Sequence, residues 1–114
     1  MANDAPKQTL LDTVGLLRSA EQLLLQASRA TSDLGKLIKI NMEYGQLDSF
    51  MSQLLHAQAL ADDADFARAT AALKQQAAAL EVEEADLAKV VDDVGMAAKI
   101  AGYLAQAVSF LATL

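Results

Sequence analysis

A single proline, Pro6, stands in this chain, so from residue 7 onward no pyrrolidine ring bars the backbone from helix. The residues that follow favour helix actively. Hydrophobic residues make up 54% of the chain, mostly alanine and leucine, and aromatics only 4%. Ala, Leu, Gln, Glu and Lys lose little side-chain freedom in a helix, whereas strands draw on β-branched and aromatic residues. The chain is also too apolar to stay disordered. It reads as all-α. One stretch pulls the other way: Ile38, Ile40, Met42 and Tyr44 alternate with Lys39, Asn41 and Glu43 in a strand-like period of two. A lone strand would find no partner for its backbone groups, and the helical reading joins the apolar pattern on both sides.

The spacing of apolar residues predicts how the helices pack. Phe66, Leu73, Leu80, Leu87, Val94, Ala101 and Val108 recur every seven residues, which keeps them on one helix face in a coiled-coil-like seam. This repeat crosses Asp92-Asp93 in phase, which argues against a break there. In the first half, Leu16, Ala20, Leu23, Ala27, Ala30, Leu34 and Leu37 step by four and three. After an extra step of three, Ile40, Tyr44, Leu47, Met51 and Leu54 continue. Such a slip marks a local overwinding or a short break, and Gly35 lies beside it.

Three stretches carry helix-capping side chains: Ala30-Thr31-Ser32-Asp33, Ala61-Asp62-Asp63-Ala64-Asp65 and Asp92-Asp93-Val94-Gly95. The middle one predicts a turn near 61–65, while bends near 31–35 and 92–95 are allowed rather than required. A chain of 114 residues fits one helical domain, 1–114. Two architectures satisfy these signals. One is an up-and-down four-helix bundle with helices over 6–30, 34–60, 64–91 and 94–114. The other is an antiparallel hairpin with arms 6–61 and 64–114. Both place 10–30 beside 94–114.

That pairing predicts association. Residues 94–114 carry one charge, Lys99, and Leu23-Leu24-Leu25 spreads apolar surface around about 200° of its helix. Two segments apolar most of the way round need further subunits, a helical protein partner or lipid. The expected association surface is Leu17, Leu24, Leu25, Ile100, Leu104, Val108 and Leu111. The ridge of Ala97, Ala101, Ala105 and Ser109 adds a path for close helix approach. Residues 94–114 are also just long enough to cross a bilayer of about 30 Å.

Charge and motif content exclude much else. The net charge is −6, and residues 62–93 hold nine acids against Arg68, Lys74 and Lys89. No basic stripe suits nucleic acid. Without cysteine there is no disulfide, thiolate metal site or cysteine nucleophile. His56 is the lone histidine, too few for a zinc or di-iron site, and no orienting acid suggests a triad. Asp62, Asp63 and Asp65 depart from a calcium loop at Phe66, and Glu81, Glu83, Glu84 and Asp86 read as a solvated face. No phosphate-cradling glycine loop exists, and no cofactor is implied. Met1 to Thr9 is polar and lacks the order of a secretory signal, so a cytoplasmic address is expected, with signal-independent export or membrane association also compatible. The expected function is that of a non-enzymatic structural or interaction protein, a homo-oligomer or the binder of a helical partner, associating through its apolar N- and C-terminal helices. The alternative is a membrane-active helical protein, a pore-like or membrane-inserting subunit, using 94–114 and 10–30.

Overall fold

The computed structural model describes residues 4–114. Four helices follow one another: α1 (Asp4–Ala30), α2 (Leu34–Ala59), α3 (Asp63–Val90) and α4 (Val94–Ala112). They run up and down in a bundle 49 × 20 × 19 Å, α1 against α2 and α4, α3 against α2 and α4. The hairpin with two long arms is not formed. The expected four-helix boundaries agree with the observed ones within two residues, and the 36–44 stretch is helical.

Each connection is three residues long and ends on an aspartate cap. The Asp33, Asp62 and Asp93 carboxylates accept hydrogen bonds from the backbone amides of Lys36 (3.0 Å), Asp65 (2.9 Å) and Met96 (2.8 Å). Each satisfies an amide that the first helical turn leaves open. Thr31 Oγ1 tightens the first connection by accepting from the Asp33 amide at 3.2 Å. The first and third connections lie at the same end of the bundle, where Lys36 pairs with Asp92.

The seven-residue repeat does not run through the last connection. Phe66, Leu73, Leu80 and Leu87 are buried, but Val94 is 83% exposed at the start of α4. Val91 caps the C-terminus of α3 and Asp93 opens α4, so the chain turns where the apolar phase alone predicted continuity. The α4 seam is Ile100, Leu104, Ala107 and Leu111. In α1 the seam is Leu10, Val14, Leu17, Ala20, Leu24 and Ala27, with Leu16 and Leu23 on its flank rather than at its centre.

The two hairpins, α1–α2 and α3–α4, also share a register in sequence. Over 33–50 and 93–110, the pairs Asp33 and Asp93, Gly35 and Gly95, Lys39 and Lys99, Ile40 and Ile100, Gln46 and Gln106, Ser49 and Ser109, and Phe50 and Phe110 are identical. Burial keeps the same offset in the preceding helices, with Leu10 matching Thr70, Thr13 matching Leu73, Ala20 matching Leu80 and Ala27 matching Leu87. Under this correspondence the α1–α4 side of the bundle is the counterpart of the α2–α3 side. They are packed differently, and α2–α3 is the loosest of the four sides.

Candidate interaction surface

Five of the seven residues expected on an association surface lie inside the chain's own core. Leu17, Leu24, Ile100, Leu104 and Leu111 are fully buried where α1 meets α4. The correction has a simple cause: an apolar face wider than one seam is covered here by two neighbouring helices, because every helix in a four-helix bundle packs on both flanks. Leu25 remains 39% exposed and Val108 is half-buried at the edge of the core. Leu11 on α1, Leu55 on α2 and Phe110 on α4 are exposed large apolar side chains that the sequence pattern did not single out.

A second exterior stripe lies on α2. Leu34, Ile38 and Met42 recur every four residues and are each more than half exposed, as is Val82 on α3. Met42 and Val82 flank a groove of about 400 Å³ between α2 and α3, completed by Lys39, Glu43, Gln46, Ala79, Glu83 and Asp86. A groove of about 410 Å³ continues the same side toward the other end, lined by Ser49, Ser52, Gln53, His56, Ala69, Ala72 and Gln76, among others. Ser52 donates its hydroxyl to the Asp48 carbonyl, and no hydrogen bond joins His56 to an acid or to a serine among the described residues. Ala101 and Ala105, from the predicted small-residue ridge, line a separate groove between α3 and α4 with Ala85 and Ala88.

Three carboxyl groups are drawn partly or wholly out of water. Glu21 on α1 is buried, and its Oε2 has no hydrogen-bond partner among the described residues. Burial first, then the charge of Asp48 close by, push the Glu21 carboxyl up to about 7, with Arg18 opposing. Glu43 on α2 is 4% exposed, and among the described residues the Oε2 atoms of Glu43 and Glu83 also lack partners. Desolvation, then the charges of Glu43 and Asp86, push Glu83 up to about 7. Desolvation and Asp86 raise Glu43 as well, against the pull of Lys39. Glu83 therefore departs from the expected solvated face, since it turns into the α2–α3 side. Among the described residues no group of three or more His, Cys, Asp or Glu side chains is placed to hold a metal ion. No protein-family model, curated protein or solved structure matches this chain.

Proposed function

We propose that this chain is a non-enzymatic helical interaction protein that associates with further copies of itself, or with a helical partner, through the outer faces of its bundle. The observation that carries the reading is the apolar surface left over once the core is complete. Leu11 and Leu25 on α1 and Phe110 on α4 stay exposed on the same two terminal helices whose inner faces close the core. Covering the part of such a side chain that is still exposed is worth on the order of 1 kcal/mol, so an assembly is held by several of them shared between molecules. Sedimentation equilibrium with circular dichroism tests it. Leu25→Glu should lower the mass while leaving helicity intact, whereas Leu104→Glu, in the core, should lose helicity too. A wild type that is monomeric at high concentration and gains no mass with any partner defeats the proposal.

A second reading is favoured by one feature of α4. Val94–Ala112 is long and apolar enough to cross a membrane, with Lys99 as its single charge. Insertion would have to draw Ile100, Leu104, Ala107 and Leu111 away from the bundle core, so lipid must replace those contacts. Co-sedimentation with anionic and zwitterionic vesicles, and protease protection of α4, separate this from assembly in water.

A further inference from the structure

The α2–α3 side is where this bundle departs from its own internal correspondence. On the α1–α4 side, Leu23 and Tyr103 are half-buried and pack against the core. Sixty residues away from each, on the α2–α3 side, stand Glu83 and Glu43. Two apolar side chains that help close one seam are thus matched by two carboxyls on the other, and that other seam is the loose one. Carboxyls repel each other and resist desolvation, so they cannot close the gap as Leu and Tyr do.

We propose that the groove between α2 and α3 is the docking site for a partner protein's amphipathic helix that presents a basic side chain between apolar ones. Charge complementarity argues for this occupant. Glu43, Glu83 and Asp86 outnumber Lys39 in the groove, and Lys39 forms no ion pair among the described residues. Among the described residues the Oε2 atoms of Glu43 and Glu83 find no donor, although Glu43 is only 4% exposed. An arginine fork or a lysine ammonium entering between them, with the side chains adjusting around it, supplies the missing donors and offsets the desolvation and the neighbouring acid charge that raise both carboxyls. The walls supply the rest. Met42 from α2 and Val82 from α3 flank the acids and are exposed, so they offer apolar contact on either side of a basic centre. Methionine adapts well to the shape of an incoming helix. The neighbouring groove lined by Ser49, Gln53, Ala69 and Ala72 prolongs this side of α2 and α3 beyond what a small cation would cover, so the surface suits a helix laid along it.

The site rests on the reading of the chain as an interaction protein, but it uses a different face from Leu25. The test is fluorescence anisotropy with a labelled 18-residue amphipathic peptide of Leu, Ala and Gln carrying one central Arg. The whole chain should bind it one to one, at least tenfold more tightly than the same peptide with Gln at the centre. Glu83→Gln and Glu43→Gln should each remove most of that preference while circular dichroism stays unchanged. Lys39→Gln should strengthen binding by removing the competing charge. Should Glu43→Gln unfold the chain, Glu83→Gln and a peptide with central Glu, which must bind more weakly than the Gln peptide, still decide the matter. Equal binding of Arg and Gln peptides, or unchanged preference in Glu83→Gln, overturns the proposal. So does a wild-type dimer that Glu83→Gln dissolves, which would make a second copy the occupant. Failure here with a mass loss in Leu25→Glu would leave the self-association reading standing.

Discussion

Glu21 occupies a core position of α1, on the seam between Leu17 and Leu24, with Asp48 facing it from α2. Its folded carboxyl titrates at about 7 against 4.5 for an ordinary glutamate, so between those values the folded chain binds a proton that the unfolded chain has released. Stability from this group is therefore full below pH 4.5 and is lost as the pH rises through 7, on the order of 2 kcal/mol. Glu21→Gln keeps the shape and removes the titration. The variant should match wild type in urea unfolding near pH 4.5 and exceed it by about 1–2 kcal/mol at pH 8. A difference that does not change with pH would refute the account. Glu83 carries the same sign of effect on α3. Neither residue stood out in the sequence, for physical reasons. An acid at a seam position reads as core only when the phase is known, and the α1 seam was placed on Leu16, Ala20 and Leu23. Glu83 was masked by Glu81, Glu84 and Asp86, which spread acids around the helix.

At the scale of a helix, cap chemistry outranked apolar phase. The repeat from Phe66 through Val108 keeps step across Asp92-Asp93, yet the Asp93 carboxylate holds the Met96 amide and starts a new helix there. Asp93→Ala should cost about 1 kcal/mol in thermal or urea unfolding, the usual value of a lost aspartate cap. All three turns were legible in composition; what the pattern could not supply was whether two of them were bends or full reversals. That choice is made by long-range packing of α1 on α4. The glycines divide similarly. Gly35 and Gly95 lie two residues past their caps, where an added Cβ would come within 3.3 Å of the aspartate oxygen. At Gly15, Gly45 and Gly102, by contrast, an added Cβ meets nothing within 4 Å. Gly45→Ala should accordingly raise stability by about 0.5–1 kcal/mol, read as a higher Tm without loss of helicity.

For the molecule as a whole, the pairing of the terminal helices was legible, and the direction their side chains take was not. Burial of Leu17, Leu24, Ile100, Leu104 and Leu111 depends on which flank of α1 faces α4, a property of the closed bundle rather than of either segment. Leu104→Ala should cost 2–5 kcal/mol, roughly, through lost transfer energy and the cavity left behind, whereas exposed Leu25→Ala should change monomer stability by no more than about 0.5 kcal/mol. Unfolding curves of the two variants at a concentration below any association check both. The correspondence between residues 33–50 and 93–110 was present in the sequence throughout, and comparing the chain with itself at an offset of sixty would have found it. It links Leu23 with Glu83 and so marks the side of the bundle where carboxyls replace apolar closure.

The three-residue connections have a kinetic consequence. Each lets a helix meet its successor as soon as both form, so three of the four sides assemble from contacts close in sequence and only α1 on α4 requires a long loop to close. Chains dominated by such local contacts refold in microseconds to milliseconds. Temperature-jump relaxation should therefore finish largely before the dead time of conventional mixing. A Leu104→Ala change, placed at the one distant closure, reports through the folding rate whether α4 docks before or after the barrier.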